Sequence, residues 1–362
     1  MPDISVFKDL ATAESLQYLI DTRNDKFNTP WYTQYFDWDT PQVTLTYSAV
    51  LGASVINAAA SIVARDSATP LRSRETLGLL SGEIPAIKEL VPLNENQYRH
   101  YMALLNLPNV KDQAKKAQAL KLIWDDVKKV VDAINNRLDI LTLQAVSTGK
   151  ISINTNNNPD GLVTDDIDLL MPTENKKTAA TAWNETSATP LTDIMKVLNE
   201  TDINFGKILI SKNRFNKLIS SKEVRDTLGA FFGITSQALK GATAPLTLGR
   251  LNQYMSESDM PIFEVVNKKS VVEGVNGKPI VFNPFEDKNL AFIPEGKLGV
   301  IKNAIAVEEQ RPVENISYAL SGRILVSKWA NNEPFREYTK SECNAFPVVE
   351  QINQIVLLTT EN

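Results

Sequence analysis

Between residues 112 and 147 an apolar side chain recurs every three to four positions: Leu120, Ile123, Trp124, Val127, Val130, Val131, Ile134, Leu138, Leu141 and Val146. That spacing places them on one face of a single α-helix. About thirty-five residues at ~1.5 Å each reach on the order of 50 Å, so the fold has to be laid out along a rod. Lys115, Lys116, Lys121, Lys128, Lys129 and Arg137 alternate with Asp112, Asp125, Asp126 and Asp132 on the other side, which reads as a solvated face rather than a nucleic-acid stripe. Gly149 stands where a helix C-cap is expected, and Ile151 and Ile153 start a strand. The turn Asn156, Asn157, Asn158, Pro159, Asp160, Gly161 returns the chain to Leu162, Val163 and the acids Asp165, Asp166 and Asp168, a hairpin behind the helix.

Upstream, residues 10–20 are amphipathic and lead to six rings within twelve residues: Phe27, Trp31, Tyr32, Tyr35, Phe36 and Trp38. An apolar content this high near a terminus either packs on its own domain or docks on a neighbour. Val43, Leu45 and Tyr47 alternate with Thr44, Thr46 and Ser48, a strand with one buried face. Residues 53–93 are poor in apolar mass, carry Pro70, Gly78, Gly82 and Pro85, and include Arg65, Asp66, Arg72, Arg74 and Glu75. So long a connection is usually functional or disordered, and its alternating flanks favour an extended hairpin.

Residues 173–190 read as a polar linker containing Trp183. Beyond it, a helix at 191–199, a strand at 207–210 and helical sequence from 212 to 228 predict a mixed second domain. Strands flank Asn276-Gly277, a tight-turn pair, and further strands at 290–293 and 298–301 complete its sheet. The tail alternates at 322–328 and 352–358 and is expected to return to the first domain.

Most catalytic chemistries are excluded by two counts: His100 is the sole histidine and Cys343 the sole cysteine. No site can use two imidazoles, a thiolate cluster or an intrachain disulfide. Thr148-Gly149-Lys150 and Gly277-Lys278 lack the frame of a phosphate loop, and G-x-S-x-G is absent. Asp165, Asp166 and Asp168 lack the glycine and distal glutamate of a calcium loop. His100, within Asn-Gln-Tyr-Arg-His-Tyr, reads as exposed, and Cys343 as a buried small residue. With 38 Lys+Arg against 43 Asp+Glu, the net charge of -5 argues against a protein that neutralises phosphate over its whole surface. No run of eighteen apolar residues and no basic-then-apolar leader is seen, so synthesis is expected in the cytoplasm.

The order assembled is an aromatic arm, a long two-stranded loop, a very long helix, a hairpin and an α/β domain. It resembles the lambda-type major capsid proteins of tailed bacteriophages, which have the HK97 fold. The resemblance is carried by residues 42–77, by Leu-Thr-Leu-Gln-Ala-Val-Ser-Thr-Gly-Lys-Ile-Ser-Ile at 141–153, by Trp183 in its polar setting, and by the stretches 207–228 and 271–294. Residues 231–260 and the tail after Asn331 do not line up with the family. The fold class implied is α+β, with an N-terminal arm (1–60), an extended loop (61–98), a peripheral domain with the spine helix (99–171 and 322–362) and an α/β axial domain (172–321). The function implied is a non-enzymatic subunit that assembles into hexamers and pentamers and forms the icosahedral head around double-stranded DNA, in the virion. Trp31, Tyr32, Tyr35, Phe36, Arg65, Arg72, Arg74 and Glu75 are the expected intersubunit contacts. Implied partners are other copies, a separate scaffolding protein, a portal protein, packaged DNA contacted without sequence specificity and, optionally, a decoration protein; no membrane, metal or cofactor is implied. The alternatives are an encapsulin-like compartment and a carboxylate-dependent hydrolase.

Overall fold

The computed structural model describes residues 11–51, 78–105, 112–234, 246–274 and 277–361. Helix α1 (Ala13–Thr22) is capped by Thr12, whose hydroxyl accepts from the Ser15 amide. Two short 3-10 turns, the second at Trp31–Gln34, lead to β1 (Phe36–Trp38). Strands β2 (Thr46–Leu51) and β3 (Gly78–Glu83) pair antiparallel as a stem; of the two flanks expected to form the extended hairpin, residues 61–65 lie outside the described residues and residues 84–88 run into the next strand. Next come β4 (Ala86–Asn94) and α2 (Glu95–Leu105). The expected long loop thus ends sooner than 98, because β4 belongs to a sheet in the body of the molecule.

The long helix, α3 (Asp112–Thr148), forms as its periodicity demands. It stops at Gly149, whose φ of 70° is the left-handed value a side chain would disfavour. Strands β5 (Lys150–Ile151) and β6 (Ile167–Asp168) form the short hairpin behind it. Residues 173–190 are not a bare linker. They hold β7 (Lys176–Thr178), and Trp183 is buried with its indole N–H donated to Asp193 at 3.0 Å.

Helix α4 (Pro190–Glu200) and β8 (Lys207–Ser211) follow. Helical sequence then divides into α5 (Lys212–Ser220) and α6 (Lys222–Phe232), because Ser221 is extended at ψ 148° and caps the second helix through the Val224 amide. Helix α7 (Leu248–Glu257) and β9 (Ile262–Val266) precede the hairpin β10 (Ser270–Glu273) and β11 (Pro279–Phe282), which turns through Gly277 at φ 68°. The remaining elements are β12 (Asn289–Ile293), β13 (Gly299–Ala304), α8 (Val307–Gln310), β14 (Ser317–Ser321), β15 (Ile324–Asn332), β16 (Phe335–Val348) and β17 (Val356–Thr359).

Two large sheets organise the chain. One has the order β1-β13-β16-β15-β14 with β4 also paired to β16; the other has the order β7-β17-β12-β8-β9. Helix α3 lies on the first sheet, where the Ser341 hydroxyl donates to the Val130 carbonyl at 2.7 Å. Ile123, Val127, Val131, Ile134, Leu138 and Leu141 share one core with Cys343, Ala345 and Phe346. The second sheet is covered on both faces. Ile208, Ile210, Leu290, Phe292, Val356 and Leu358 pack with the α4–α7 side, while Leu209, Ala291, Ile293 and Leu357 join the core under α3. That explains why β8 and β17 read as nearly unbroken apolar runs instead of alternating.

Two expectations about strand membership are corrected. β17 inserts between β7 and β12 of the second sheet instead of returning to the first. β13 pairs with β1 and β16, and β14 with β15, so residues 299–304 and 317–321 lie in the sheet beneath α3, not in the 172–321 unit.

Candidate assembly surfaces and buried polar contacts

The aromatic segment is fastened inside its own subunit. Tyr32, Tyr35 and Phe36 are 2%, 5% and 2% exposed, so these three rings are not free to meet a neighbour. This corrects the docking expectation for them. The reason is backbone as much as hydrophobic: Phe36, Asp37 and Trp38 pair in parallel with Gly299, Val300 and Ile301, which draws the rings into the core. Trp31 is half-buried and stacks at a tilt on Tyr35, with ring centres 5.0 Å apart. Phe27 meets Trp124 of α3 at 4.9 Å.

Polar groups tie the same segment to α3 and to the second sheet. The Tyr32 amide donates to Asp139 of α3 at 2.9 Å, and its hydroxyl donates to Asn135 at 3.1 Å. The Tyr35 hydroxyl donates to Glu264 of β9 at 2.7 Å, and Lys207 of β8 pairs with the same carboxylate at 2.8 Å. Burial raises both phenol pKa values, with the Glu264 bond adding to the rise at Tyr35. These tyrosines stay neutral donors.

Several charges on α3 are used within the chain. Lys128 pairs with Asp132 at 2.5 Å, and Arg137 donates to the Asn157 carbonyl at 2.7 Å and to Asn158 at 3.2 Å. Burial lowers the Arg137 pKa and raises that of Asp126. Behind the helix, Lys328 and Glu337 are 3% and 1% exposed and 3.9 Å apart, and Lys328 donates to the Thr339 hydroxyl at 3.0 Å. Desolvation pulls the Lys328 pKa down, against the opposing pull of Glu337 and Asp126. A buried, structural role fits these groups better than a phosphate-binding stripe.

The sole histidine and the sole cysteine lie on different elements, α2 and β16. Cys343 is 1% exposed, and burial, aided by Glu342, pushes its thiol up to about 12, so it is a protonated core residue. His100 is exposed on α2. An open polar cleft of about 360 Å³ lies where the end of α3 meets residues 283–287, and one of about 410 Å³ lies between Trp183 and the start of α6. Neither is lined by His100 or Cys343. Asp166 accepts from Ser152, and Asp168 from the Leu170 amide. Among the described residues no helix is long and apolar enough to cross a membrane.

Some of the exposed apolar side chains lie on strands. Val271 and Val281 lie directly opposite on the β10–β11 hairpin and are each 57% exposed. Leu79 on the β2–β3 stem and Leu90 on β4 are also open. Alternation in the sequence marks these strands but not their outward faces, so none was legible as a surface. Arg65, Arg72, Arg74 and Glu75 lie outside the described residues.

The fold has solved counterparts. A crystal structure assigned as the capsid protein of a prophage of E. coli CFT073 superposes with a TM-score of 0.59 at 15% identity, covering 96% of this chain and 98% of that one. A phage-related protein from Bordetella bronchiseptica RB50 superposes with a TM-score of 0.52 at 8% identity, covering 95% and 96%. At such identities the likeness speaks for the fold, an HK97-like α+β arrangement. No curated protein matches the sequence. The sequence profile described as phage major capsid protein E matches residues 18–360, nearly the whole chain, and the protein therefore belongs to that family.

Proposed function

We propose that this chain is the shell subunit of a tailed bacteriophage, assembling into hexamers and pentamers that form an icosahedral head around double-stranded DNA. The observation that carries the reading is the family match over residues 18–360, and the fold likeness over the whole chain length supports it. The half built on α3 would be the peripheral domain. The half built on the second sheet would be the axial domain, meeting its copies around the five- and six-fold axes.

Burial of the aromatic arm in its own subunit removes one argument for a shell, that this arm needs a neighbour to hide its rings. Other features take its place. Heterologous contacts that close around an axis need projecting elements, and the β10–β11 hairpin and the β2–β3 stem expose Val271, Val281 and Leu79. Arg65, Arg72, Arg74 and Glu75, in the segment joining β2 to β3, are proposed as contacts to a neighbouring subunit. With a net charge of -5, packaged DNA would be held by confinement and local patches, not by a uniformly basic lining. Scaffolding, portal and decoration proteins would be the accessory partners.

Electron microscopy of the purified chain, alone and with a co-expressed scaffolding protein, tests the proposal. Closed shells of uniform size are expected. A chain that stays a single copy by light scattering at high concentration, with and without the scaffold, rejects it.

A further inference from the structure

Three margins of the two large sheets differ in how their main-chain groups are satisfied. At β14, Gln17 of α1 lays its amide against Leu320: the Leu320 N–H donates to Gln17 Oε1 at 2.8 Å, and Gln17 Nε2 donates to the Leu320 carbonyl at 2.9 Å. At β9, Asn252 of α7 does the same to Phe263, with both bonds at 2.8 Å. A side-chain amide thus takes the place of a neighbouring strand at each edge.

Among the described residues no such cover lies on β4. Its antiparallel pairing with β16, continued by the Ala345 N–H donating to the Pro85 carbonyl at 3.2 Å, fixes which groups face inward. Ile87, Glu89, Val91 and Leu93 exchange bonds with β16, while the N–H and C=O groups of Ala86, Lys88 and Leu90 point out of the sheet. Further along, Pro92 brings no N–H, and the Asn94 amide donates to Gln97 Oε1 at 3.0 Å. Among the described residues nothing bonds the outward groups of Ala86, Lys88 and Leu90, and all three side chains are exposed.

We propose that this edge receives an extended segment of a second copy of the chain through main-chain hydrogen bonds, an inference that rests on the shell reading. Alternating donors and acceptors on an open edge select an extended polypeptide. A two-fold pairing of β4 with β4 centred on residue 88 would set Lys88 opposite Lys88, and like charges directly across a strand pair repel. In this proposal the contact is heterologous: the β4 edge of one copy takes a different segment of the next, which is the kind of contact that closes a ring. Membership in a major capsid protein family makes another copy the available partner.

Amide hydrogen exchange on the purified chain alone, dispersed and assembled, reads the edge directly. The amides of Ala86, Lys88 and Leu90 are expected to exchange freely when dispersed and roughly a hundredfold more slowly in particles. Particles in which they exchange as in the dispersed chain overturn the proposal and leave the shell reading standing; so does protection already present when dispersed. A chain that forms no particles either alone or with a co-expressed scaffolding protein overturns the shell reading itself, and this proposal with it. Leu90→Pro removes an outward N–H and no bond to β16. It should keep the melting temperature within a few degrees and lower particle yield roughly tenfold. A folded variant with wild-type yield contradicts the proposal; should the variant not fold, the exchange measurement on the wild type decides.

Discussion

The ammonium of Lys268 sits 2.8 Å from the carboxylate of Asp139, which has no exposed surface in the C-terminal half of α3. The same carboxylate accepts the Tyr32 amide. One side chain therefore joins the aromatic segment, the long helix and the connection between β9 and β10. Removing it strands a buried amide and a partly buried cation. Asp139→Ala should lower the unfolding free energy by ~3 kcal/mol, with Asp139→Asn costing less because it can still accept from Tyr32. A urea titration giving under about 1 kcal/mol for the alanine variant would show that the carboxylate is not a strut.

Trp124 is 6% exposed, against Phe27 on one side and with the Arg23 guanidinium 5.5 Å from its ring centre. Trp124→Ala should cost ~3 to 5 kcal/mol by denaturant titration. A loss below about 1 kcal/mol would mean that this part of α3 is open in solution.

Gly299 opens β13 beside Phe36, and a Cβ added there would lie 2.0 Å from the Val348 carbonyl oxygen and 2.9 Å from the Glu350 nitrogen. Main chain cannot step aside as a flexible side chain would. Gly299→Ala is expected to destabilise by ~2 to 3 kcal/mol, visible as a lower melting temperature. An unchanged melting curve would show that β13 and β16 are not held so close.

Glu361 lies 2.7 Å from Arg214 and 2.5 Å from Lys217, and these cations hold its carboxyl at about 2, below the ordinary 4.5. A depressed carboxylate stabilises the fold fully above its unfolded value, and that contribution is lost as pH falls from about 4.5 through about 2. Glu361→Gln should therefore lower the melting temperature at pH 6 by a few degrees and have a much smaller effect at pH 2. Equal losses at both pH values would contradict the linkage.

Arg72→Glu combined with Arg74→Glu should leave the melting temperature of the dispersed chain unchanged, since surface charges contribute little to folding. Particle formation should fall, because charges at a contact steer association. Intact shells from the double variant, seen by electron microscopy, would count against a contact role for these arginines.

Much of the fold was legible because local rules suffice for single elements. A 3.6-residue apolar period makes α3, and a glycine free to take φ 70° ends it at Gly149. Cys343 was readable as core and His100 as surface from their neighbours alone. The candidate contacts were less legible. Apolar rings at 31–36 announce that something must cover them, and the groups that fasten them, Asp139 and Glu264, are more than a hundred residues away in sequence.

By itself, then, the sequence determined many of the elements, the long helical rod and the poverty of catalytic groups, since these depend on near neighbours and on residue counts. Only the tertiary structure decided which strands pair, that β17 joins the second sheet and β13 the first, that Trp183 is buried, and that the aromatic segment closes on its own subunit. The physical reason is that a strand's main-chain groups are the same whichever strand lies alongside. Alternation says that a face is buried, and long-range packing alone selects what buries it.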